Sequence, residues 1–285
     1  MLSRFFWLCL IFAGPLFLCE SEEIVWKGVH YNDKTVSQLI TVITSTSPVQ
    51  SAPDTTLLYE AQKSLFKVPA LAQCKKIIVF DGIRKKEKSE FKNKYEEYKK
   101  KITQLTRSDP YFANTKLVFC SSRQHLSGAI REAIRLVDTP FVFIHQHDLV
   151  LLKEFDLNGL LASMIANPLI KHVHLYSLPN HDTYFPADQT DEIVEGPHFV
   201  PLCRTSRWTD QSHIASLDYY KNFVLPQCNK NFMERRLHPA LEKAMHLSGW
   251  EGHREFGTYL YGNLEDGLFI KHTDGRYYSS LNKKE

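Results

Sequence analysis

Between residues 38 and 144 short runs of β-branched and aromatic residues alternate with stretches whose apolar positions recur at helical spacing. Residues 38–46 (QLITVITST) read as a strand that ends in Ser47-Pro48. Residues 56–66 carry Leu57, Leu58, Ala61, Leu65 and Phe66 at helix-compatible spacing, and 76–80 (KIIVF) read as a second buried strand closed by Asp81-Gly82. Strand, helix, strand of this kind points to a parallel pair, because parallel strands need a long crossover and a helix is the usual one. The pattern resumes with 116–120 (KLVFC), then Leu126, Ala129, Ile130, Ala133, Ile134 and Val137 on one helix face, then 140–144 (PFVFI). The expected fold class is α/β: a Rossmann-like, mostly parallel sheet flanked by helices.

Composition narrows the function classes. The chain has 285 residues, 43% hydrophobic and 24% charged, enough to bury a real core and unlike a disordered or multi-pass membrane chain. Lys and Arg total 35 against 32 Asp and Glu, so a net charge of +3 gives no basis for a nucleic-acid binder. The one marked charge run, residues 84–101, holds nine Lys/Arg and four Glu. Phe91, Tyr95, Tyr98, Ile102 and Leu105 recur there at helical spacing, which makes the run an amphipathic helix with a solvated basic face.

Arg4 precedes an apolar run over residues 5–19, which Glu20, Ser21, Glu22 and Glu23 end. That run is short of the roughly twenty residues that span a bilayer comfortably, so residues 1–21 read as a secretory signal peptide or signal anchor. Residues 22–285 are left as one domain. The expected location is the lumen of the secretory pathway (endoplasmic reticulum or Golgi) or outside the cell, with a membrane as partner only if the segment stays uncleaved. Cys74, Cys120, Cys203 and Cys228 then allow disulfides, but show no CxxC spacing and suit buried free thiols equally well.

The strand at 140–144 runs directly into His145, Gln146, His147 and Asp148. Metal-capable and hydrogen-bonding groups thus gather at the C-terminal end of a strand, which is where open parallel sheets bind ligands. Residues 128–134 (GAIREAI), the Thr139-Pro140 break and 141–148 (FVFIHQHD) together resemble the nucleotide-diphosphate-sugar glycosyltransferases of the GT-A fold, especially the family 2 type. The resemblance extends over about 38–150 and implies that the opening strand and the strand ending in Asp81 hold the donor's nucleotide. Thr44, Ser45, Asp81 and Asp148 are accordingly the expected nucleotide-sugar contacts. The family carries an acidic signature at the position where this chain has His145, His147 and Asp148. With a late histidine, His272, these form the expected ligand set for a divalent metal, Mn²⁺ or Mg²⁺, which would neutralise a departing diphosphate.

Residues 171–177 (KHVHLYS) read as a further strand and 179–201 as a long loop rich in Asp, Pro and His. Arg204, Arg207, Trp208, Asp210 and His213 fall within ten residues, followed by an expected helix over 214–223. An exposed ring beside carboxylate and imidazole suits a sugar, so Trp208, Asp210 and His213 are the expected acceptor contacts. From Asn231 the order of features again resembles the same family: Glu234 opens an amphipathic helix to Leu247, Gly249 ends it, and strand-like 257–262 precedes His272. The resemblance implies Glu234 as catalytic base. Asp266, in the literal pair Glu265-Asp266, is the rival.

The expected activity is transfer of a sugar from a nucleotide-diphosphate-sugar donor to an acceptor hydroxyl on a sugar or glycan, with inversion. An inactive, carbohydrate-binding relative and a metal-dependent phosphoesterase or nucleotidyltransferase are the alternatives.

Overall fold

In the computed structural model, residues 24–32, 35–177, 200–229, 231–262 and 266–273 are described. The expected signal segment and most of the 179–201 loop lie outside them. A hairpin comes first: β1 (Ile24–Trp26) and β2 (Val29–Tyr31) turn through Lys27 and Gly28, whose φ values of 49° and 78° supply the left-handed backbone that a tight two-residue turn requires.

The regular part of the sheet follows. β3 (Ile40–Thr46) is buried along its whole length, which is why its sequence is continuously β-branched instead of alternating with polar residues. Helices α1 (Thr56–Ser64) and α2 (Pro69–Gln73) return the chain to β4 (Lys75–Phe80), and α3 (Ser89–Ser108) leads to β5 (Thr115–Phe119). Helix α4 (His125–Ile134) then feeds β6 (Phe141–Gln146), which β7 (Leu149–Leu151) follows almost at once. The second half runs α5 (Leu157–Ala166), β8 (His172–Leu175), β9 (Leu202–Arg204), β10 (His213–Ser216), α6 (Leu217–Tyr219) and α7 (Leu225–Cys228). It closes with α8 (Met233–Ser248), α9 (Trp250–His253), β11 (Thr258–Tyr261) and β12 (Ile270–His272).

Eight strands form one sheet in the order β5-β4-β3-β6-β10-β8-β11-β9. The ladders β4–β5, β3–β4, β3–β6 and β8–β11 are parallel, while β10 runs antiparallel to both neighbours and β9 runs antiparallel to β11. The fold is therefore the expected mixed α/β domain with a large central sheet between helices. One element differs from the sequence reading, because residues 213–216 form β10 and the helical stretch starts only at Leu217. Ile214 and Ala215 are too short a run to show a period of two, and their apolar character blends into the helix that follows.

Alternating residues of β6 feed opposite faces, as the pleat demands. Phe141 and Phe143 pack with Val42, Leu160 and Leu175, whereas Val142 and Ile144 pack with Ile130, Leu237 and Leu241 of α4 and α8. Under α3, Tyr95, Tyr98 and Ile102 close over Phe80 and Phe112. That buried stripe is the one expected from residues 84–101, although the helix begins only at Ser89. Cys74, Cys120, Cys203 and Cys228 are all buried free thiols. No described helix is long and apolar enough to cross a membrane.

Candidate functional site

The C-terminal ends of β3, β4 and β6 open onto a cleft of about 320 Å³. β3 contributes Ser45 and Thr46, β4 delivers Asp81, and the end of β6 delivers Gln146, His147 and Asp148. Arg123, in the loop after β5, His125, the first residue of α4, Asp210 and Phe232 complete the lining, with the His125 and Phe232 rings edge to face at 5.9 Å. β3 and β6 thus reach the cleft with their last residues and β4 with the residue just after it, the arrangement expected of an open sheet.

Asp81 is fixed by the backbone around it. Its Oδ1 accepts from the N–H of Gly82 at 2.8 Å and of Gln124 at 2.6 Å, so one carboxylate ties the end of β4 to the start of α4. Its own N–H donates to the Thr46 carbonyl at 2.8 Å, and Tyr95 Oη donates to its carbonyl at 2.9 Å. Gly82 has no space for a side chain, since a Cβ there would meet the Ser122 carbonyl carbon at 2.2 Å. The residue beside Asp81 on β3 is therefore Thr46, with Ser45 next along the cleft. Thr44 corrects the expectation: it is 1% exposed, its hydroxyl accepts from Gln62 Nε2 at 2.8 Å, and it does not line the cleft.

His272 Nδ1 stands 3.8 Å from Oδ2 of Asp148, a residue of the cleft lining. The ribbon β7–β12 brings them together by pairing His272 with Leu149, and the N–H and Oγ1 of Thr273 both donate to the Asp148 carbonyl at 2.8 and 3.1 Å. His147 lines the cleft, with its ring Nδ1 3.3 Å from the Ser45 carbonyl. His145 does not: it is fully buried, its Nδ1 bonds Ser212 Oγ at 2.7 Å, and burial lowers its pKa to about 4. Among the described residues no group of three or more His, Cys, Asp or Glu side chains could hold a metal ion. The pair Asp148–His272 fits a different mode, in which Mg²⁺ or Mn²⁺ takes one or two protein ligands and fills its other positions with phosphate oxygens and water.

Residues 208–213 differ more from expectation. Trp208 is fully buried, donates through Nε1 to Tyr219 Oη at 3.1 Å and stacks on His172 at 4.8 Å. His213 is equally buried, with Nε2 2.6 Å from Tyr220 Oη and Nδ1 on the Gln211 carbonyl. Both are core residues rather than a sugar platform. Asp210 remains in the cleft, half-buried, with its carbonyl accepting from Gln146 Nε2 at 2.9 Å. Burial pushes its carboxyl up to about 7, with the neighbouring charges of Glu234 and Asp148 acting in the same direction and the Glu234 backbone N–H opposing them.

Glu234, in the first turn of α8, accepts from Thr209 Oγ1 at 3.2 Å and faces Arg207 Nη2 at 3.7 Å. It neighbours Asp210 but does not itself line the cleft. Asp266 lies elsewhere, packed against Gly262 with its carbonyl accepting from Lys153 Nζ, and it does not line the cleft. Arg123, His125 and Phe232 went unread in the sequence because no spacing marks them. Position does: Arg123 and His125 follow a parallel strand, and Phe232 immediately precedes α8.

No family model and no curated protein matches the chain. Among solved structures it is similar to S. aureus TarS, at 12% identity and TM-score 0.48, over 82% of this chain and 36% of that one. It is also similar to the mannosyltransferase PcManGT from Pyrobaculum calidifontis in complex with GDP-Man and Mn²⁺, at 12% identity and TM-score 0.42, over 78% and 56% of the two chains. This chain spans less than two thirds of either protein, and at that distance the functional weight falls on the cleft's own residues.

Proposed function

We propose that the protein is a glycosyltransferase acting on a nucleotide-diphosphate-sugar donor, with residues 1–21 as its entry signal to the secretory lumen. The observation that carries this reading is a cleft at the strand ends lined by Asp81, Asp148 and Asp210, with His272 held against Asp148 and Glu234 beside Asp210. Asp81, just after β4, and Ser45, near the end of β3, take the nucleoside. Asp148 and His272 would hold a divalent cation, which when bound neutralises charge on the diphosphate. Arg123, on the same wall, adds a fixed positive charge to that role.

The acceptor sugar enters beside Asp210 and Glu234. Its hydroxyl gives up a proton to a carboxylate while its oxygen bonds the anomeric carbon from the face opposite the diphosphate. One base and one in-line displacement invert that centre. A two-metal phosphoesterase needs several gathered carboxylates, and the described cleft supports that reading less well.

Thermal shift with UDP-GlcNAc, GDP-mannose and other nucleotide sugars, with and without Mn²⁺, tests the proposal. A bound donor raises stability by RT ln(1 + [L]/Kd), about 2.7 kcal/mol at a hundredfold excess over Kd. Stabilisation by one donor class, strengthened by Mn²⁺, is the expected result. No shift with any nucleotide sugar contradicts the reading.

A further inference from the structure

Two carboxyl groups meet at the acceptor end, and their surroundings differ. Glu234 is engaged from behind by Arg207 at 3.7 Å and by the Thr209 hydroxyl at 3.2 Å, and it is not part of the cleft lining. Asp210 lines the cleft directly, and Gln146 fixes its backbone to the end of β6. We infer that Asp210, not Glu234, is the group that takes the acceptor's proton, and that Glu234 is a positioning residue beside it. This rests on the glycosyl-transfer reading above and names the base within it.

The charged and titratable groups around Asp210 agree. Glu234 on α8 is an anionic neighbour that favours proton uptake, whereas Asp148 after β6 does so only while no cation balances its charge. Tyr220 and Cys228 face it from α6–α7, and burial holds both neutral near pH 7, with Cys228 raised to about 12. Arg207 balances Glu234 and not Asp210. Asp210 at about 7 is matched to proton transfer at neutral pH, where an ordinary carboxylate is too weak a base. In the step, the acceptor O–H proton passes to the Asp210 carboxylate as the new C–O bond forms and the old one to the diphosphate breaks. The nucleoside diphosphate leaves, and Asp210 returns its proton to water.

The test compares Asp210→Asn with Glu234→Gln in the full chain, after circular dichroism has verified that both fold. The expected Asp210→Asn loss in kcat/KM is on the order of 10²-fold or more at every pH. Glu234→Gln should keep turnover at pH 8 within about tenfold while its acid limb moves to lower pH, because a neighbouring negative charge is gone. Near-normal turnover in Asp210→Asn, or an acid limb unmoved in Glu234→Gln, overturns the inference. ¹³C-carboxyl NMR reads the same titration without turnover. A midpoint near 7 for Asp210 that falls in Glu234→Gln supports the assignment even if the donor screen fails, and a midpoint near 4 in the wild type overturns it.

Discussion

His272, from the last described strand, faces Asp148 at 3.8 Å because β12 pairs antiparallel with β7 directly after the turn that carries Asp148. A residue from the last described strand is thereby held against Asp148 of the cleft lining. If they hold a divalent cation, removing either ligand should remove the metal-dependent part of donor stabilisation. Asp148→Ala and His272→Ala should each abolish the extra thermal shift that Mn²⁺ gives with a nucleotide sugar. An undiminished Mn²⁺ effect in both variants would rule out the pair as its site.

Trp208 offers a contrast between core and cleft. Its ring is buried and its N–H bonds Tyr219 Oη. Trp208→Phe should cost about 1–3 kcal/mol of stability through the lost hydrogen bond and residual cavity, with donor and acceptor affinities unchanged. Urea unfolding alongside calorimetry separates the two effects, and a selective loss of acceptor binding at wild-type stability would restore Trp208 as a sugar platform.

Four histidines give the fold an acid sensitivity. Burial holds His145 and His213 at about 4, His174 at about 3 and His172 well below the ordinary 6.5. The unfolded chain therefore protonates these rings first. Their contribution is fully present above pH 6.5 and is lost as pH falls from there towards 4. Each unit of separation is about 1.4 kcal/mol, so the urea midpoint should fall by roughly 1 M or more between pH 7.5 and pH 5. An unchanged midpoint over that range would mean that the rings are already charged in the folded state.

Asp81 and Gly82 together fix the end of β4, where the nucleoside is proposed to bind. Gly82→Ala would drive a Cβ into the Ser122 backbone at 2.2 Å and push the end of β4 away from α4. Overpacking of this kind costs about 1–3 kcal/mol, and donor affinity should fall with stability. Asp81→Ala releases the Gly82 and Gln124 N–H groups and should do the same. Wild-type donor affinity in both variants would place the nucleoside elsewhere.

The parallel half of the fold was legible because β3, β4 and β6 are buried on both faces and announce themselves as unbroken apolar runs, with α4 between them showing a clear helical stripe. β10 escaped detection because its four residues owe their strand state to the ladders from β6 and β8 on either side, a tertiary cause with no local signature. In the cleft, Asp81, Ser45, His147 and Asp148 were found by their place at strand ends. Trp208, His213, His145 and Thr44 were misplaced because residue type says nothing about which face of a strand or loop turns inward. Asp210 and Glu234 are far apart in sequence, and their nearness arises from packing of α8 against the segment before β10.

Calorimetric titration of the wild type and Asp148→Ala with the nucleotide sugar that stabilises the protein most, in the presence of Mn²⁺, tests the central claim that this cleft is a donor site. The account predicts one saturable site in the wild type and at least tenfold weaker binding in Asp148→Ala. Equal affinity in the two proteins, or no binding heat in the wild type at millimolar donor, would contradict it.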